Sequence, residues 1–396
     1  MADCGGTGLP SGGASSAEDS LAWFSHMIGN CLEYATAAKS RGRPVVGIMC
    51  EYCPRELIFA AGAVPVCLCG GHASTIPAAE RDLPASLCPL IKSTYGFHVQ
   101  GSNPFLEMAD LIVAETTCDG KKKMFELLAE SRPTYLMELP QRAGDAHGRR
   151  HWLREVHRFR DFLQSHLRTE ITDGELRRAV AAMNEERRLR RGLAALMQSE
   201  APPLTGLELL SLKSSISCLS DDLAHYERLL ASLPHRAGKP EARSRARVLL
   251  TGVPVVHGAE RVVQIIEDSG GLIVCQENCT GLKPILEDVD EMAPDPLLAI
   301  ADKYYALHCS VMTPNTRRLE VLRELAASYR PDCVIELIWQ SCLTYDVESF
   351  FVRRLVEEEL GLPYLRIETD YSPSDSERIA VRVQALYETA QARSVP

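Results

Sequence analysis

Cysteine is the residue type that offers this sequence the most chemistry. Fourteen thiols are present, and six fall into two comparable sets: Cys50, Cys88 and Cys118 early in the chain, Cys279, Cys309 and Cys342 late. Three thiolates on a four-iron cube leave one iron without a protein ligand, open to a substrate, a bridge or a second cube. Met1 to Ala17 lack the basic start and apolar stretch of a secretory signal, so a reducing compartment is expected, and this number of thiols points to metal binding, catalysis or buried small side chains rather than to a disulfide framework.

The remaining cysteines divide. Cys4, Cys31, Cys218 and Cys333 read as small hydrophobes, the commonest fate of an isolated thiol. Cys50 and Cys53 form a C-x-x-C, but no second pair follows, so a zinc site is weakly supported. Cys67 and Cys69 match Cys275 and Cys279 topologically and stand in reserve. Around the six thiols, Glu51, Lys92, Glu115 and Tyr345 are the candidate catalytic residues, with Asp119, Lys121 and Glu277 beside them. These types could tune cluster charge, position a proton or assist reduction of a small substrate. Charged residues are more often simply solvated, which is the competing reading for each. Arg55 and Glu56 read as helix-start residues that cap or salt-bridge.

Elements must bring such thiols together. Open parallel sheets bind ligands beyond the carboxyl ends of their strands, and Cys50, Cys118, Cys279 and Cys342 each follow an apolar strand-like run. Cys88 and Cys309 lie in loops rich in turn formers. The patterning predicts strands at 45–49, 63–68, 110–115, 133–139, 248–250, 272–274, 332–337 and 364–367, alternating with helices. The expected fold class is α/β: two Rossmann/flavodoxin-like parallel-sheet domains, a helical segment between them and an N-terminal helix. The expected divisions are a disordered tail at 1–16, a helix at 17–43, α/β domains at 44–146 and 247–396, and a helical domain at 147–246 interrupted at Pro202 and Pro203. The closing helix is expected from Pro373 to Leu386, capped by Ser372.

Composition sets bounds. A chain with 45% hydrophobic and 24% charged residues is globular in character. No apolar run approaches the roughly 18 residues a membrane helix needs, so no membrane role is expected and the localisation reads as cytoplasmic. A net charge of −10 argues against a nucleic-acid groove; Arg187, Arg188, Arg190 and Arg191 make a basic patch expected on a solvated helix face. Neither a phosphate-binding G-x-x-x-x-G-K-[ST] loop nor a dinucleotide G-x-G-x-x-G is present. His147 and His151 have helical spacing, but Arg stands where a metalloprotease needs Glu.

The motifs surrounding the six thiols resemble a known family. They are Cys50-Glu-Tyr-Cys-Pro-Arg-Glu-Leu-Ile, Leu-Cys88-Pro-Leu-Ile-Lys-Ser, Glu-Thr-Thr-Cys118-Asp-Gly-Lys, Gln-Glu-Asn-Cys279-Thr-Gly, Cys309-Ser-Val-Met-Thr-Pro-Asn and Gln-Ser-Cys342-Leu-Thr-Tyr-Asp. Together they resemble the double-cubane cluster proteins, a branch of the 2-hydroxyacyl-CoA dehydratase superfamily. The resemblance implies an oxygen-sensitive homodimeric reductase with two 4Fe-4S cubes joined by a sulfide (8Fe-9S), Cys50, Cys88 and Cys118 holding one and Cys279, Cys309 and Cys342 the other. It also implies a separate ATP-hydrolysing iron–sulfur activator that delivers low-potential electrons for reduction of a small molecule. Val253 and Val311 stand where many relatives have cysteine, and Cys53 is an extra. Two alternatives remain: a 2-hydroxyacyl-CoA dehydratase component with one 4Fe-4S cube, which is a lyase, and a non-catalytic zinc or scaffold protein.

Overall fold

In the computed structural model, residues 17–235 and 240–394 are described. The tail expected at 1–16, Cys4 and part of the expected linker around 234–246 lie outside them. Eight strands form two parallel sheets: β1 (Val45–Ile48), β2 (Val64–Cys67), β3 (Leu111–Glu115) and β4 (Thr134–Met137) in the order β2-β1-β3-β4, and β5 (Ala246–Gly252), β6 (Gly271–Glu277), β7 (Cys333–Trp339) and β8 (Tyr364–Thr369) in the order β6-β5-β7-β8. All pairings are parallel. The α/β class expected from the alternating pattern is therefore present twice, with the 2-1-3-4 order of a flavodoxin-like sheet. The central strands β1, β3, β5 and β7 are almost wholly buried, as continuous apolar runs covered on both faces must be.

The strand order reverses direction between β1 and β3, and again between β5 and β7. Each reversal leaves a crevice at the carboxyl end of the sheet, and the two crevices face each other. The Tyr52 hydroxyl donates to the Leu307 carbonyl at 2.8 Å, Tyr371 to the Gly70 carbonyl at 3.3 Å, and the Thr313 amide to the Gln141 carbonyl at 2.8 Å. Approach is so close that a Cβ on Gly71 would lie 2.3 Å from the His257 carbonyl oxygen.

The middle segment is helical, with helices Ala146–Leu167, Asp173–Ala195, Gly206–Ser211 and Ser220–Ser232. Thr172 with Glu175, and Thr205 with Glu208, close capping boxes that satisfy the first amides of two of these helices. The break falls around Pro202 and Pro203 as expected. The N-terminal segment is two helices, Ala17–Ser25 and Met27–Ser40, hinged at His26, where a single helix was expected. Its Trp23 indole donates to Asp222 at 2.8 Å and Phe24 stacks on Tyr226, so it completes the helical layer.

One expectation is overturned. Arg187 does not sit on a solvated face: it is 2% exposed, and its guanidinium meets the fully buried Glu56 at 2.5 Å. Glu56 therefore ties the first α/β half to the helical segment. Arg188, Arg190 and Arg191 pair with Glu291, Glu186 and Asp288, which consumes the basic patch. Helix periodicity alone could not separate Arg187 from solvent, because its acidic partner Glu56 lies 131 residues away in sequence.

Candidate functional site

Every described cysteine is a free thiol. Six of them gather where the two crevices meet, in a grouping that sequence order does not suggest. Cys88 and Cys342 are close neighbours, and Cys118 feels the charge of Cys342. Cys50 is close to Cys279 and Cys309. Each group thus takes thiols from both α/β halves: Cys88 and Cys118 with Cys342, and Cys279 and Cys309 with Cys50.

The first group shares a local device. Cys88, Cys118 and Cys342 are the N-cap residues of helices Pro89–Gln100, Asp119–Ala129 and Leu343–Arg354. A helix N-terminus carries unpaired amides and a partial positive charge, which favours a thiolate. Cys88 is lowered, by the Cys342 thiol first, against burial, and then by the Leu90 and Ile91 amides, whereas Cys342 is raised by Cys88 and burial, and Cys118 by burial. Ser341, with φ of 64°, adopts the left-handed turn that swings Cys342 from β7 onto its helix.

The second group holds its protons tightly. Burial pushes Cys50 up to about 12 and Cys279 and Cys309 to about 11, against the pull of Lys121 and Lys283 respectively. Thiols so placed keep their protons unless a cationic centre arrives, the behaviour expected of ligands whose deprotonation is coupled to metal loading. Among the described residues no group of three or more His, Cys, Asp or Glu side chains is close enough to hold a single metal ion. Two thiol triplets with buried ammonium groups beside them form a donor set whose charge suits a multi-iron cube.

The candidate polar residues separate clearly. Glu51 is buried between Arg55 at 2.7 Å and Lys213 at 3.1 Å; burial alone would raise it, but these cations bring it down to about 2. Glu115 is fully buried and neither carboxylate oxygen has a hydrogen-bond partner. Burial lifts it to about 8, despite Lys121 and Arg55. Tyr345 accepts a hydrogen bond from Lys283 at 2.9 Å beside Cys279 and Cys309. Lys121, whose ammonium donates to the Met49 carbonyl at 2.5 Å, neighbours Cys50 and Cys118. Glu277 holds Lys283, His308 and Arg318. Lys92 is not brought in: Glu80 and the Ala85 carbonyl hold its ammonium at 2.8 and 2.7 Å. Asp119 is solvent-exposed and pairs with Lys122. Cys53 is sealed in the core.

Sequence reasoning missed Lys213, Lys283, His308 and Arg318. Lys283 and His308 stand near Cys279 and Cys309 in sequence, a signal that was available. Arg318 is fully buried and bonds Glu277, Glu336 and Glu348, with its guanidinium 4.9 Å above the Tyr345 ring. Nothing in a charged amphipathic helix marks that arginine out.

Residues 50–390 match the family described as 2-hydroxyglutaryl-CoA dehydratase, D-component. The chain is 41% identical over 354 residues to YjiM of Escherichia coli (strain K12), provisionally named a dehydratase subunit, covering 88% of this chain and 92% of that one. It is 23% identical over 355 residues to the (R)-phenyllactyl-CoA dehydratase beta subunit of Clostridium sporogenes, with the same coverage. A benzoyl-CoA reductase component of Thauera aromatica is 24% identical over 277 residues, 68% of this chain and 70% of that one. Among the described residues no helix is long and apolar enough to cross a membrane.

Proposed function

Because the chain belongs to the 2-hydroxyglutaryl-CoA dehydratase D-component family, we propose that it is an iron–sulfur reductase component. In this reading it takes single low-potential electrons from a separate ATP-hydrolysing activator, works as a homodimer and reduces a small molecule. The observation that carries the reading is the convergence of six thiols in two triplets at one cleft. Cys88, Cys118 and Cys342 would hold one cube, and Cys50, Cys279 and Cys309 the other. This replaces the division by sequence halves that the resemblance implied. The cluster, an 8Fe-9S double cubane, supplies electron storage at low potential when bound.

The chain's own residues supply charge balance and protons. Lys121 and Lys283 are buried ammonium groups kept protonated by the negative groups around them; Lys283 offsets charge beside Cys279 and Cys309, and Lys121, next to Cys50 and Cys118, offsets it on both triplets. Glu115, unpaired and raised to about 8, still carries its proton at neutral pH and can give it up from a carboxyl oxygen when negative charge develops nearby. Tyr345, kept well above its ordinary range by burial, stays a phenol and orients Lys283.

Iron and acid-labile sulfide per chain, measured after anaerobic purification, test the reading. About eight irons are expected. Cys88→Ser and Cys342→Ser should damage the same cube, while Cys88→Ser combined with Cys279→Ser damages both. Zinc or no metal would overturn the proposal. A second reading, a 2-hydroxyacyl-CoA dehydratase component and hence a lyase, is favoured by the dehydratase names of two of the relatives. About four irons would select it.

A further inference from the structure

Cys67 and Cys69 take no part in either triplet, yet they are not core residues. Cys67 ends β2 and Cys69 follows two positions on, while Leu68 between them is packed into the core at 2% exposure. Both thiols are partly open, and both line a cavity of about 740 Å³ between the N-terminal helices and the two α/β halves. Its walls are mixed: Met27, Phe105 and Val256 are apolar, His72 and Lys213 polar. The size and lining suit a small organic molecule.

We infer that Cys67 and Cys69 form a reactive dithiol site that takes small organic disulfides entering this cavity. The two thiols are close neighbours, and the Cys69 thiol donates to the Met49 carbonyl at 3.3 Å. The nearby Cys69 thiol, then Lys213, brings Cys67 down to about 6 in spite of burial, and Cys69 is pushed up by Cys67 and by burial. An attacking thiolate beside a protonated partner is the arrangement that thiol–disulfide exchange uses.

The exchange balances without another reagent. The Cys67 sulfur attacks one sulfur of R–S–S–R, the S–S bond breaks, and the departing thiolate takes up a proton. Cys69 gives up its proton and attacks the Cys67 sulfur of the mixed disulfide, expelling the second RS group as a thiol. One external disulfide is reduced to two thiols, and the protein pair is oxidised to a Cys67–Cys69 disulfide.

The site is wired to the triplets. Lys213 also contacts the Glu51 carboxylate and the Cys279 carbonyl, both at 3.1 Å. Oxidation of the pair removes the thiolate facing Lys213 and changes the charge felt beside Cys50 and Cys279. That consequence rests on the proposed function; the dithiol chemistry does not.

The test treats anaerobically purified holoprotein with 4,4′-dithiodipyridine, follows release of 4-thiopyridone, and maps peptides by mass. The expected fast phase releases both thiopyridones, leaves iron unchanged, and joins Cys67 to Cys69. Cys69→Ser should release one and retain a pyridyl adduct on Cys67. Ser211→Trp, at the exposed rim of the cavity, should slow the fast phase several-fold with iron unchanged. Unmodified Cys67 and Cys69 after that phase would overturn the inference. So would loss of iron in Cys67→Ser or Cys69→Ser, since the thiol would then be a cluster ligand. Because peptides identify the reacting pair, the result can be read even if the protein binds no iron.

Discussion

Replacing Arg187 with Met tests whether one buried ion pair holds the helical segment to the first sheet. Arg187 reaches Glu56 at 2.5 Å and Asn184 at 2.8 Å, and Glu56 has one other hydrogen-bond donor, the Tyr304 hydroxyl at 2.8 Å. Both members of the pair are essentially without solvent. Removing one partner of such a pair costs about 3–5 kcal/mol, because the other charge stays buried without compensation. Denaturation in urea is the assay. For a chain of this size a slope of roughly 3 kcal/mol per molar turns that cost into a midpoint shift on the order of 1 M. Adding Glu56→Gln to Arg187→Met removes the stranded charge, so the double variant should recover about 2 kcal/mol relative to the sum of the singles. A shift below about 1 kcal/mol for Arg187→Met, or simple additivity in the cycle, would refute the reasoning.

Other outcomes follow from the same contacts. Lys303 is buried against the Tyr304 ring and the Pro284 carbonyl, and burial, then Arg187, brings it down to about 7. Its folded value lies below its unfolded one, so the stability linked to it is present above about 10.5 and is lost as pH falls towards 7. The slope should reach about 1.4 kcal/mol per pH unit, and Lys303→Met should remove it from a series of urea titrations. Gly71→Ala would force a Cβ against the His257 carbonyl; a loss of about 1–3 kcal/mol is expected by thermal denaturation. Glu115→Gln should leave iron content intact while abolishing any proton-linked step near pH 8 in activator-driven turnover; an unchanged pH profile would remove Glu115 from that role.

The strands were legible because parallel strands buried on both faces are short apolar runs between turn formers, and all eight appear where the pattern puts them. Their ends were less legible: β5, β6 and β7 each run to seven residues where shorter runs were expected, since Thr251 bonds to Glu277, Glu277 is held by Lys283, His308 and Arg318, and Ile338 and Trp339 carry β7 on. The helix expected from Val347 begins at Leu343 and the closing helix runs on to Ser394, because helix ends depend on local caps more than on periodicity. The six thiols could be picked out one by one from their positions after strands. Their partition could not, because it depends on two crevices facing each other, and that geometry comes from contacts such as Gly71 against His257.

The first helix has its own consequence for how the chain is made. Trp23 bonds Asp222, Ser20 bonds His225 and Phe24 stacks on Tyr226, contacts about 200 residues apart in sequence. At the usual pace of synthesis, about 5–20 residues per second, the segment bearing Trp23 and Phe24 must wait roughly 10–40 s for its docking surface to leave the ribosome. The apolar face of this helix is thus made well before the surface that covers it, and until then it is open to chaperones and to misassembly.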